Sequence, residues 1–384
     1  MNPFRRSFAI VIVVACVPLL LGQTCGIDMN GNNNNNNTNG NNNNNQNDNS
    51  QSADIFRIYG DGSAGAKVVS SDENWNTPAN RQVNLNFTDL TINQGVTLIV
   101  PSGMVIRCKG QFTNYGTLFV RPAAEGGFSG RTGPGGPNFA TTSAPAAIGI
   151  ATGPAQAGDI GDSTVARRAG RGGDGLSEFE ARLVLNPGTR AGGGGAVGGM
   201  DTDADGVSLN SGADGGGSVV IIAQGKILNA GAIQAEGESG NKASGNDLGG
   251  GGGGGVVVLA SVESVSNTGT ISVRGGDGED SDSNNGPSGG GGGGVIHLIS
   301  PVIDNEAGSD GLLVDGGAAG DDSAQITENA MRYAGGGGGA SAGAGGAGGS
   351  IPDGAGPVFP DSADSGANGF AFMTELNPQL LIRF

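Results

Sequence analysis

Glycine is crowded into one part of this chain, and there it keeps returning to the same place. Of the 79 Gly, 11 lie in residues 1–120 and 68 in residues 121–384. Gly loses the most backbone entropy on folding and offers nothing to pack. That density argues against long helices and a broad core. No Gly-X-Y period runs through the chain, which excludes a collagen-like triple helix. What the glycines punctuate is a repeat. Asn114-Tyr-Gly-Thr-Leu-Phe-Val-Arg121 is echoed by Asn229-Ala-Gly-Ala-Ile-Gln-Ala-Glu236 and Asn267-Thr-Gly-Thr-Ile-Ser-Val-Arg274, with a degenerate copy in Asp310-Gly-Leu-Leu-Val-Asp315. Ahead of the last three stand the apolar runs Val219–Ile222, Val256–Leu259 and Val295–Leu298. Aligning Ile222, Leu259 and Leu298 gives spacings of 37 and 39 residues, and short strands recurring at such a period indicate a solenoid or propeller.

The strand signals are period-two alternations rich in β-branched residues, as in Gln82–Phe87, Val96–Val100 and Val105–Lys109. No stretch shows a helix period. One unit holds strands near 256–260, 262–266 and 270–274, joined by an Asn-x-Gly turn, and then a Gly-rich excursion. Excursions Gly237–Gly255 and Gly276–Gly294 are equal in length. A propeller needs turn-linked antiparallel strands without such loops. The expected fold is therefore all-β, a right-handed parallel β-helix-like solenoid with long Gly-rich loops on one face. The expected organisation is a signal peptide (1–24), a disordered Asn-rich tether (25–53), N-terminal strands and first coils (54–121), a Gly-rich insertion with an acidic loop (122–217), repeated β-coils (218–334), and a Gly-rich segment with capping strands (335–384). The Gly runs themselves (Gly192–Gly195, Gly249–Gly255, Gly289–Gly294, Gly335–Gly339) are read as flexible excursions. The alternative is extended Gly helices packed side by side, which only Gly permits.

Two ladders follow from stacking the copies. Asn114, Asn229 and Asn267 occupy the same repeat position, and Asn229 and Asn267, on neighbouring coils, should align about 4.8 Å apart and share amide hydrogen bonds. Glu236, Arg274 and Asp315 should form a surface charge ladder, each link worth at most ~1 kcal/mol.

The N-terminus reads as an export signal: Arg5-Arg6, then the apolar Phe8–Leu21, then a small and polar exit. Cys25 follows at once and is a candidate lipidation site, as in bacterial lipoproteins, although Thr24 and the position of Leu21 depart from that pattern. Fifteen of the 20 residues from Asn30 to Asn49 are Asn, a composition that builds no core and suits a spacer. The chain carries a formal charge of −17. Such a surface repels nucleic acid and anionic lipid, so no nucleic-acid partner is expected. Membrane contact is expected only through the signal peptide or a lipid anchor. Cys108 is read as a small buried apolar residue.

The pairing of Gly251–Ser261 with Asn267–Gly276 resembles glycine-rich exported β-helix proteins of environmental bacteria. The Gly runs alone resemble those of phage tail adhesins built on packed polyglycine helices. The resemblance implies a cell-surface or adhesive role toward a glycan or protein partner, and carries over no catalytic residue.

Among chemical motifs, Asp201-Thr-Asp-Ala-Asp-Gly-Val207 stands out. Asp201, Asp203 and Asp205, with the Val207 carbonyl, have the spacing that wraps oxygens round Ca²⁺. No cofactor is required by any motif, and calcium is the one ion the chain suits. Gly275–Asp280 begins like a Ca²⁺ nonapeptide but breaks at Asp282. Gly339-Ala-Ser-Ala-Gly343 spells a nucleophile elbow and Gly343–Gly348 a dinucleotide fingerprint, both in a Gly/Ala/Ser tract that precedes no helix. The only His, His297, is read as an outward strand residue. The expected function is a non-enzymatic exported scaffold. The alternative is a polysaccharide lyase or glycoside hydrolase of the pectate-lyase-like β-helix type, which needs converging carboxylates and a base.

Overall fold

The computed structural model describes residues 58–122, 168–185, 212–240, 249–283, 285–327, 334–354 and 356–381, with residue 155 and the backbone of 128–129, 140–141, 160–161 and 332–333. It consists mostly of short strands in parallel sheets. In order these are β1 (Gly65–Val69), β2 (Glu73–Asn74), β3 (Asn86–Ile92), β4 (Thr97–Val100), β5 (Met104–Cys108), β6 (Phe112–Asn114) and β7 (Thr117–Val120). After two small antiparallel pieces, β8 (Phe128–Ser129) with β9 (Ala140–Thr141), and β10 (Ile160–Gly161), come β11 (Ser218–Ala223), β12 (Ile227–Asn229) and β13 (Ala232–Gln234). Then follow β14 (Val256–Ser261), β15 (Val265–Asn267), β16 (Thr270–Ser272), β17 (Val295–Ile299), β18 (Ile303–Asp304), β19 (Leu312–Leu313), β20 (Arg332–Tyr333), which pairs with β10, and β21 (Phe370–Thr374).

Each round of the chain lays one strand on each of three stacks. The first is β5-β11-β14-β17-β21, the second β6-β12-β15-β18, and the third β2-β4-β7-β13-β16-β19, every pairing parallel. The long β3 joins the first two, pairing with β5 through Asn86 and Phe87 and with β6 through Leu90 to Ile92. The arrangement is consistent with a parallel β-solenoid. Alternate residues point inward and stack in columns, such as Ile106-Ile221-Leu259-Leu298 and Leu118-Ile233-Ile271-Leu312. These columns form one buried apolar core. The register corrects the sequence alignment by one residue: Leu259 pairs with Ile221, not Ile222. A one-residue slip would turn every inward side chain outward. The excursions likewise differ by one residue, 22 positions separating Gln234 from Val256 and 23 separating Ser272 from Val295.

The first stack is buried on both faces. Its outward residues Val220, Ile222, Val258, Ala260 and Ile299 meet a second layer with Tyr59, Ala181, Val184 and Ala342. Burial on both sides is why β11 and β14 read as unbroken apolar runs. The covering layer includes a helix that the sequence reading missed, α1 (Glu178–Arg182), too short to show a period. A capping box secures it: the Ser177 hydroxyl accepts from Glu180 N–H, and the Glu180 carboxylate accepts from Ser177 N–H at 3.0 Å.

The Gly runs overturn the flexible reading. Gly249–Gly255, Gly289–Gly294 and Gly335–Gly339 are buried, in a bundle of extended segments beside the strands; Gly192–Gly195 lies outside the described residues. Segment 286–294 is hydrogen-bonded to six others: 249–255 (Gly254 N–H to Gly292 O), 273–280 (Gly291 to Gly276), 314–320 (Gly317 to Gly291), 335–340 (Gly292 to Gly339), 343–349 (Gly346 to Gly290) and 361–369 (Gly293 to Ala367). Bonds to any one neighbour recur every third residue, as in Gly251 to Gly289 and Gly254 to Gly292. That is the period of a polyproline-II helix, which makes no internal hydrogen bonds and must satisfy its amides laterally. None of the described glycines in these runs has a positive φ. What is exploited is the missing Cβ: one added at any position from Gly289 to Gly294 would lie 1.9–2.2 Å from a neighbouring carbonyl oxygen.

Candidate functional site

Where the third stack hands over to the glycine bundle, the chain builds a charged corner. Glu236, Arg274 and Asp315 each stand two residues beyond a third-stack strand, and the pairing of Gln234 with Ser272 and of Ser272 with Leu313 puts them above one another. With Ser239, Asp277 and the glycines between, they line a cleft of about 390 Å³. Arg274 Nε lies 3.1 Å from Asp315 Oδ2, with side chains 47% and 54% exposed. Glu236 instead accepts a hydrogen bond from the Ser272 hydroxyl. Of the two expected links in the charge ladder, one is thus an ion pair, and the other is replaced by a hydroxyl–carboxylate contact within the same stack. On the next turn of segment 235–240, burial and the nearby Asp214 raise the Glu238 carboxyl above its ordinary range, against a smaller opposing pull from Arg121.

The corner's short polar side chains reach sideways. Asp277 accepts from Ala318 N–H at 2.7 Å, Asp280 from Asp321 N–H at 2.7 Å, and Ser239 from Asp277 N–H at 3.2 Å. The segment that began like a calcium nonapeptide therefore spends two of its carboxylates on backbone amides. Among the described residues no three His, Cys, Asp or Glu side chains are grouped to hold a metal ion. Asp201, Asp203, Asp205 and Val207, and likewise Cys25, lie outside the described residues.

The asparagines run through the wall between the second and third stacks. Asn114, Asn229 and Asn267 are in register and fully buried. Asn114 Nδ2 donates to Asn229 Oδ1 at 2.8 Å, and Asn229 Nδ2 to Asn267 Oδ1 at 2.7 Å. Each second amide hydrogen serves the backbone of the next round, Ala232 O and Thr270 O. A fourth member escaped the sequence reading: Asn267 Nδ2 donates to Asn305 Oδ1 at 2.8 Å, 38 residues on, the same separation as from Asn229 to Asn267. Spacing alone would have found it. The Asn-x-Gly signature hid it, because a 3-10 turn at Ser309–Gly311 is inserted before β19 and moves the glycine.

His297 stands on the first stack between Val258 and Phe372, whereas the charged corner follows the strands of the third. It points out of its strand as expected, but the second layer covers it and leaves it 2% exposed. Its Nε2 is 2.8 Å from Thr374 Oγ1 and its ring packs on Phe372. Burial first, then the Arg182 charge, lowers its pKa to about 4. Ser341, the serine of the elbow-like spelling, is buried at the edge of the bundle, whereas such a nucleophile must be exposed on a strand-to-helix turn. His297 and Ser341 are both buried, and neither lines the charged cleft. No protein-family model, curated protein or solved structure matches the chain.

Proposed function

We propose that this protein is an exported, non-enzymatic scaffold that attaches to a glycan or protein surface, its body a right-handed parallel β-helix carrying the glycine bundle along one side. The observation that supports this most is how the polar side chains are spent. At the charged corner Arg274, Asp277 and Asp280 bridge neighbouring segments instead of converging on a reacting atom. The asparagines do the same inside the wall. Bridging of this kind stiffens a surface and leaves it available for contact, which is what a display or adhesion module needs. In this reading residues 1–24 direct export, Cys25 carries lipid, the Asn-rich stretch spaces the body from the membrane, and the Asp201–Val207 loop takes Ca²⁺.

Incubating the purified full-length chain with immobilised acidic and neutral glycans tests it. Saturable attachment without new reducing ends is expected. Turnover of pectin or alginate would replace the proposal with the lyase or hydrolase alternative. Mass spectrometry of the native N-terminus should find a diacylated Cys25, and an unmodified terminus at another residue would remove the anchor. Calorimetric titration should show Ca²⁺ uptake that an Asp203→Ala, Asp205→Ala variant loses; equal uptake would remove the ion.

A further inference from the structure

The stacks are covered at their first round and open at their last. At the first round Val69 and Trp75 are buried. At the last, the inward column Ile106-Ile221-Leu259-Leu298 is continued by Met373 of β21, and Met373 is 55% exposed. The next inward column ends in the same way, at the exposed Ala371 opposite Ile296. The backbone of β21 is unpaired along this edge. Phe370 N–H donates to Gly294 O, and Thr374 O accepts from Ser300 N–H. Phe370, Phe372 and Thr374 therefore bond toward β17, and the N–H and C=O of Ala371 and Met373 alternate to the open side. No described backbone group meets them there. Beyond β21 the chain turns to the second layer, where Leu381 packs. The surroundings of this edge are acidic: segments 300–327 and 356–381 hold nine Asp and Glu and no Lys or Arg. Asp304, Glu306 and Asp310 lie at the ends of the second and third stacks, and Glu375 follows β21 directly. All four are exposed, and among the described residues none has an ion-pair partner.

We propose that this edge takes an extended basic segment of a partner protein, added to β21 as the next strand of the first stack. This rests on the protein-binding form of the proposed function and assigns it a site. Main-chain bonds to Ala371 and Met373 supply the attachment, as in other strand additions, and an apolar side chain of the segment covers Met373. Where the segment runs past Thr374, Lys or Arg meets Glu375 and Asp304. Charge complementarity selects such a partner over a second copy of this chain. Two acidic ends brought together repel. At the opposite end the edge strand β1 offers one cation, Lys67, and Glu73 already holds it at 3.1 Å.

A fluorescein-labelled peptide of alternating Lys and Val, titrated into the purified full-length chain, should raise the label's anisotropy saturably. The same peptide with Glu for Lys, or with its amide nitrogens methylated, should bind at least about tenfold more weakly. Met373→Pro removes an edge donor that makes no bond to β17 and should weaken binding to the same extent. The Asp304→Asn, Glu375→Gln double variant alters only exposed side chains, so it keeps the fold and should weaken binding about fivefold at low salt. Equal affinity for the basic and acidic peptides, or for the methylated and unmethylated ones, would overturn the proposal. So would self-association of the chain alone that Met373→Pro abolishes, which would give the edge to a second copy. Failure of the basic peptide to bind, with attachment to immobilised glycan retained, would remove this site and leave the scaffold reading standing. Turnover of pectin or alginate would remove that reading instead.

Discussion

The amide of Asn229 accepts from Asn114 and donates to Asn267 and to Thr270 O. Asn and Gln alone carry a neutral acceptor and two donors in one planar group, so identical residues can chain indefinitely through a buried wall. Asn229→Ala should destabilise the fold by about 1–3 kcal/mol in urea, since it strands buried partners above and below. Asn229→Asp should cost more, because it buries a charge and loses both donors. At His297 the pKa falls from 6.5 to about 4 on folding. The unfolded chain therefore binds the extra proton between those values. The His297 contribution to stability should be complete above pH 6.5 and decline to its minimum near pH 4. Its span is on the order of 3 kcal/mol. His297→Gln should flatten the difference in that window, and parallel pH profiles for the two proteins would refute the assignment. The Cys108 thiol, fully buried and pushed up to about 12 mainly by that burial, should resist thiol reagents until the chain unfolds.

The two kinds of element divide the glycines between them. Segments on the rim of the bundle need Gly only at every third position, as in Gly237-Glu-Ser-Gly240, Gly317-Ala-Ala-Gly320 and Gly366-Ala-Asn-Gly369, where the residues between carry side chains. Segment 286–294, enclosed on all sides, has six consecutive glycines from Gly289 to Gly294. Gly291→Ala would place a Cβ 2.0 Å from Gly252 O and should cost about 3 kcal/mol or more. Gly356→Ala, with nothing within 4 Å of its Cβ position, should shift stability by no more than about 0.5 kcal/mol. Similar melting points for the two variants would refute the packing. Arg274→Ala removes a pair whose side chains are half-exposed, so its effect should stay below about 1 kcal/mol, and smaller still in high salt.

Across the whole body, the repeat and its failures mark what could be read in advance. The period-two strands, the Asn-x-Gly turn and the parallel alignment of Asn114, Asn229 and Asn267 were legible, because each round repeats the same local chemistry. The register was missed by one residue at Ile221, since apolar runs buried on both faces give no alternation to count. Asn305 was missed because the 3-10 turn separates it from its glycine. The covering layer over His297 was illegible, as α1 is brought to the first stack from a distant part of the chain. The glycine bundle is the plainest case. Gly173 N–H donates to Gly338 O and Gly345 N–H to Gly173 O, yet nothing near any of them specifies the partner. A polyproline-II segment bonds only sideways, so its sequence records the need for close neighbours and not their identity. The amino-acid sequence by itself therefore determined the strands, their repeat and the demand for glycine, all of them properties of single segments. Only the tertiary structure decided which segments meet, because backbone groups satisfied laterally have no partner until the fold brings one within reach.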